Sequence, residues 1–214
     1  MNYYLIFITG LLFLVFGANA NASKMDTDQR EVFAFGIKAG FNYSNVWDSR
    51  GQEFDADPKF GFAGGFFAGI PLGRTIGLQP EILISQKGFK GSGTILTAPY
   101  TIKRTKTYID IPLQLQIKPV QHVTFLVGPQ FSYLLKQDDV YTFGSNSILV
   151  EEEFKNDNIR KNILGFTAGI DFSISHFVLS GKYGWDFQNN NGDGTSSTPR
   201  YKNRWLQLTA GYIF

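Results

Sequence analysis

Cysteine is absent from the 214-residue sequence. Its absence excludes a disulfide framework, any thiolate metal site and a lipid-modified N-terminal cysteine. Histidine is scarce, with only His122 and His176. An excess of one charge is lacking too. The formal net charge is +2, too small to argue for nucleic acid or an anionic surface as a partner. Beyond the N-terminus there are no long apolar runs and no convincing helical period, so a helical domain is not expected. The length suits one domain or two small ones. Phenylalanine and glycine are abundant, with 21 and 23 residues.

The one long apolar block is YLIFITGLLFLVFG, Tyr4–Gly17, followed by ANANA. Ala18 and Ala20, or Ala20 and Ala22, supply A-x-A cleavage choices. The segment 1–22 therefore reads as a secretory signal peptide, with a retained helical anchor as the alternative. The block falls short of the ~20 residues of a spanning helix. Residues 23–32 are expected as a short periplasmic segment, and 33–214 as one barrel domain.

Alternation governs the rest. In FAFGIKAGFNY, Phe33, Phe35, Ile37, Ala39, Phe41 and Tyr43 share one face, with Ala34, Gly36, Lys38, Gly40 and Asn42 on the other. A period of two means a strand with two chemically different faces. FGFAGGFFAGI, IGLQPEILISQ, YIDIPLQLQIK, VTFLVGPQFSY, LGFTAGIDF, FVLSGKYGWDF and RWLQLTAGYIF repeat the pattern. A strand of about 9–11 residues crosses a tilted bilayer span, and these eight segments match it. PLGRT, KPVQH and SISH are short connections, whereas the other four are long and polar. Short turns at one end and long loops at the other are the layout of an outer-membrane barrel. The fold expected is all-β, an eight-stranded antiparallel up-and-down transmembrane β-barrel, located in the outer membrane with both termini periplasmic.

The apolar row carries no charge within the strand bodies, as a lipid-facing surface requires, since Lys or Arg at the midplane costs about 2–4 kcal/mol. The opposite row holds Lys38, Glu81, Lys87, Asp110, Lys118, Asp171, Lys182 and Asp186, four of each sign, with Gln79, Gln114, Gln116, Gln130 and Gln207. An eight-stranded lumen has room only for side chains, so ions confined there are expected to pair. Tyr43, Tyr133, Trp185, Trp205 and Tyr212 are candidates for interfacial girdles. Pro80, Pro112 and Pro129 fall inside strands, where each forfeits a ladder hydrogen bond, and a local bulge is expected at each.

GIKAGFNYSN, LQPEILISQKG, YIDIPLQLQIKP, VGPQFSYLL and LQLTAGYIF together resemble the PorT-like outer membrane β-barrel family of Gram-negative bacteria. The resemblance spans Phe33 to Phe214 and places the three prolines where that family has them. It implies an eight-stranded barrel with a periplasmic N-terminus and brings no catalytic motif. It also implies that Phe214 is a recognition end for the barrel-assembly machinery.

Chemistry is otherwise sparse. His122 and His176 fall in the short turns, far from where a lipid-modifying Ser/His/Asp site would need its base. NNNGDG at Asn189–Gly194 and DADP at Asp55–Pro58 have calcium-type oxygens without full loop spacing. EEEF at Glu151–Phe154 and KRTK at Lys103–Lys106 are oppositely charged segments read as solvated loops, with contact to each other or to lipopolysaccharide as the alternative. No catalytic, cofactor-binding or metal site and no enzyme activity is expected. The partners expected are outer-membrane lipid and lipopolysaccharide, the assembly machinery, and extracellular or secretion-system proteins, with no nucleic acid. The functional reading is a structural, adhesive or ligand-binding barrel with a packed lumen and long extracellular loops. A secretion or gliding accessory and a small-solute pore are the alternatives.

Overall fold

The computed structural model describes residues 29–47, 55–95, 98–143, 146–152, 160–190 and 201–214. The expected signal peptide lies outside the described residues. A short 3-10 turn at Gln29–Glu31 precedes nine strands: β1 (Ala34–Trp47), β2 (Asp55–Pro71), β3 (Ile76–Ile95), β4 (Ala98–Val120), β5 (Val123–Phe143), β6 (Asn146–Glu152), β7 (Asn162–Ile174), β8 (Phe177–Asp186) and β9 (Lys202–Ile213). Every pairing is antiparallel, and eight strands close into a barrel. The seam joins β1 to β9 from Gly36↔Ile213 to Trp47↔Lys202.

The ninth strand, β6, was not foreseen. Val123–Tyr133 of β5 pairs with β7, and Gln137–Phe143 pairs with β6 instead. Segments expected as loops are in fact strand. KRTK lies within β4, and DADP opens β2, with Asp57 opposite Lys90. Lys90 in turn faces Lys103 across the β3–β4 ladder. The physical reason is that these extensions stand clear of hydrocarbon, where neither face must be apolar.

The outward row is the oily one. Phe60 is 64 % exposed, Ile82 58 % and Leu113 51 %. Along β4 this belt runs from Ile109 to Ile117, and above it the same row continues as Thr107, Thr105 and Lys103. Apolar side chains project away from the barrel on every side, as hydrocarbon selects and water does not.

The prolines do not bulge. Pairing around each keeps the same register on both flanks and skips the rungs where the amide is missing. Pro80 interrupts β2–β3, Pro112 interrupts β3–β4, and Pro129 interrupts β4–β5. On its other side each keeps a ladder partner: Leu113, Gln130 and Phe166 respectively. One lost donor per proline is absorbed as a gap, with no extra residue needed. Register shifts fall elsewhere, between Pro58 and Ala63, Thr107 and Tyr108, and Ile117 and Val120. Near the first of these β3 passes Gly88, whose φ is 155° and where a Cβ would lie 2.1 Å from Arg104 O.

Candidate functional site

The inward row gathers the ions in the lumen. Lys38 on β1 and Lys182 on β8 both donate to Glu81 Oε1 on β3, Lys38 from 2.9 Å. Lys182 also donates to Gln114 Oε1 on β4 at 2.9 Å, and Gln114 Nε2 donates to Thr167 Oγ1 on β7 at 2.8 Å. This chain crosses the barrel from wall to wall. Toward the short turns, Gln79 Nε2 donates to Glu81 at 2.7 Å and to Asp171 at 3.2 Å, and Gln116 Nε2 donates to Gln79 Oε1 at 2.6 Å. Toward the loops, Lys87 donates to Asp110 at 3.0 Å, Asn42 Nδ2 to Ser85 Oγ at 2.8 Å, and Gln207 Nε2 to Asn42 Oδ1 at 3.0 Å. All eight expected ions are buried, and Lys118, the most exposed, reaches only 7 %. Charges this buried persist because opposite signs and hydrogen bonds meet them.

Below these layers, at the short-turn end, a cavity of about 240 Å³ is lined by Arg30, Phe67, Gln79, Gln116, Lys118 and Asp171, among others. Lys118 Nζ donates to Arg30 O at 3.1 Å, fastening the 3-10 turn across this mouth.

Above the ions the lumen becomes apolar. Trp205, read as a girdle residue, turns inward and is 2 % exposed. Lys87 Nζ sits 3.8 Å from its ring centroid, a cation–π contact in a dry setting. Gly184 makes this possible, since a Cβ there would lie 2.3 Å from the indole. Tyr43, Tyr133 and Tyr212 are exposed on the outer face. Tyr108, Leu134 and Ile163 form one buried cluster, and Val46, Phe89 and Tyr201 a second.

The end of the barrel opposite the short turns is closed by a polar clasp. The Arg104 guanidinium forks onto the Asp139 carboxylate and donates to Tyr201 Oη at 3.0 Å. Lys106 donates to Asn190 Oδ1 at 2.8 Å, and Asn190 N and Nδ2 both donate to Tyr201 O at 3.0 Å. Arg160 N donates to Asn190 O at 2.8 Å, tying in the approach to β7. Burial pushes the Lys106 ammonium down, partly offset by Tyr201. Burial works to raise the Tyr201 phenol, but Lys106 and Arg104 together bring it below the ordinary tyrosine value. On β2, just above the belt, burial and then the charges of Lys103 and Lys90 lower buried Lys59 to about 8.

The remaining residues singled out in the sequence scatter. His122 and His176 are exposed in the β4–β5 and β7–β8 turns, each with Nδ1 in hydrogen-bond contact with a strand carbonyl, Ser173 O at 2.8 Å and Ile213 O at 2.9 Å. Of NNNGDG, only Asn189 and Asn190 are described, and the Asn190 oxygen already accepts from Lys106. Glu151 and Glu152 belong to β6, and the rest of EEEF lies outside the described residues. Among the described residues no group of three or more His, Asp or Glu side chains is placed to hold a metal ion. The Arg104–Tyr201–Asn190 clasp was missed. Its members are separated by up to 97 positions in the chain, and no local pattern connects them.

A closed antiparallel barrel with an oily exterior and an ion-paired interior defines an integral outer-membrane β-barrel protein. The chain belongs to the outer membrane protein beta-barrel domain family, whose model matches residues 18–191. Among solved structures it is similar to Ail, the attachment invasion locus protein of Yersinia pestis, at 14 % identity and a TM-score of 0.45, covering 85 % of this chain and 98 % of that one. It is similar to OprG of Pseudomonas aeruginosa at 12 % identity and TM-score 0.40, with 88 % and 99 % covered. CarO of Acinetobacter baumannii gives 10 % identity and TM-score 0.45, with 84 % and 97 % covered. Comparison with curated proteins gives no match.

Proposed function

We propose that this protein is a non-porous, non-enzymatic barrel acting as a rigid scaffold at the cell surface, holding extracellular strands and loops for adhesion or ligand binding. The observation that carries this is the Lys38–Glu81–Lys182–Gln114–Thr167 chain spanning the lumen. A pore of this width would need those side chains elsewhere. The extension of β4 from Tyr108 up to Tyr100, paired on both sides, supports a stiff platform above the membrane.

Purified full-length protein in planar bilayers is expected to be electrically silent; steady single-channel steps would overturn the reading. Replacing residues 144–159 with a short Gly-Ser linker is expected to abolish attachment of expressing cells to surfaces while the barrel keeps its folded gel mobility. Unchanged attachment would remove this segment from the function.

Finer assignments accompany this reading. The ends of β1 and β9 lie with the short turns, which supports periplasmic termini after cleavage of residues 1–22. Phe214 N donates to Phe35 O at 2.9 Å and its ring packs against Phe35 at 5.8 Å. That arrangement supports a role for Phe214 in recognition by the assembly machinery. The QPE and GPQ segments support PorT-like membership within the family. For a PorT-like secretion role, the test is export of other proteins from a deletion strain, where normal export would discard it.

A further inference from the structure

On the outer wall, the apolar belt ends at Tyr183 on β8, Leu206 on β9 and Tyr43 on β1. Directly above, β8 and β9 separate. Their ladder stops at Trp185↔Arg204. Beyond it, the Asp186 carboxylate accepts from the Asn203 side-chain amide, while Phe187 N donates to Leu164 O on β7 at 2.9 Å. The fork opens a groove of about 560 Å³, lined on its outer side by Trp47, Tyr183, Trp185, Phe187, Lys202 and Arg204 and also by the buried, mutually hydrogen-bonded Asp186 and Asn203. Arg204 stands directly opposite Trp185, and Lys202 directly opposite Trp47. Trp47 is 48 % exposed and Phe187 52 %. Among the described residues neither cation has an ion-pair partner.

We propose that this groove binds the phosphorylated sugar headgroup of an outer-leaflet glycolipid. Three observations converge on that occupant. The groove sits at the upper rim of the belt, the depth at which headgroups meet the barrel. Two cations with no ion pair among the described residues suit phosphate, which Arg grips through paired N–H donors. Flat aromatic faces beside them suit the apolar faces of sugar rings, and the volume is that of an ordinary small-ligand site. An interfacial girdle alone accounts for the rings but not for Lys202 and Arg204 set between them. The inference rests on the outer-membrane location and is independent of what the loops bind.

The test uses full-length protein in nanodiscs containing bisphosphorylated lipid A, dephosphorylated lipid A or neither, with retained lipid quantified by mass spectrometry. Preferential retention of the bisphosphorylated form is expected, and Lys202→Gln with Arg204→Gln should lower it at least tenfold. The control is Lys90→Gln with Lys103→Gln, which removes the same charge from β3 and β4, on the opposite side of the barrel. That control should retain the lipid. Equal retention of both lipids, equal loss in both double variants, or no loss in either overturns the proposal. So does binding of soluble glucosamine phosphate as tight as that of the lipid, which would make the site one for a free anion. Folded gel mobility of each variant verifies an intact barrel. A silent bilayer together with failed lipid retention would reject the groove while leaving the sealed scaffold standing.

Discussion

Glu81 holds the lumen together because two ammonium groups converge on one of its oxygens. Glu81→Gln removes the carboxylate that Lys38 and Lys182 share and leaves Asp171 as the acid acting on both, and breaking a buried pair in this way costs about 3–5 kcal/mol. Urea unfolding in lipid vesicles should show that loss, and adding Lys182→Gln should recover part of it. A second test concerns pH. Lys59 is lowered to about 8, so its folded pKa lies below its unfolded one. The unfolded chain then binds more protons between about 8 and the ordinary lysine value, and stability rises with pH across that window. Lys59→Gln should therefore be more stable than the native protein at pH 7, with the difference shrinking by pH 10. A difference that stays constant would show that burial and the neighbouring Lys103 and Lys90 do not lower Lys59.

At the scale of the strand, depth decides what a substitution does. Leu113→Lys places an ammonium on the outward row near the midplane, at a cost of about 2–4 kcal/mol. Thr105→Lys lies on the same row of β4 but above the belt, beside native Lys103, and should fold almost normally. Comparing the two in refolding assays checks the boundary. This boundary also explains what the sequence could disclose. Within the belt, lipid forces one row to be apolar, so Ile109, Ile111, Leu113, Leu115 and Ile117 announce a strand. Above it, Thr101, Lys103, Thr105 and Thr107 alternate with Ile102, Arg104 and Lys106, and nothing in hydropathy separates such a strand from a loop. The lumen ions were legible because membrane selection leaves charge only one row to occupy. Trp205 was misassigned because its destination depends on the space left by Gly184 on a neighbouring strand.

At the scale of the molecule, the layers of the lumen act in series. Ions fill the middle, Trp205 and the Tyr108 cluster lie above them, and the Arg104–Tyr201 clasp closes the end. Removing one layer should not make a channel. Arg104→Ala is expected to release the clasp, raising protease cleavage near Tyr201 while bilayer conductance stays at baseline. Conductance appearing with that single change would locate the seal at the clasp alone.

The skipped rungs at Pro80, Pro112 and Pro129 lie on three successive strand boundaries, so the gaps line up obliquely across one flank of the wall. On the other flank the ladders β1–β2, β1–β9, β5–β7, β7–β8 and β8–β9 run without a break. Squeezed by a membrane of different thickness, such a tube has a built-in crease. It would flatten along that line first, and amide deuteration of the flanking residues would report the deformation before any other part of the wall responded.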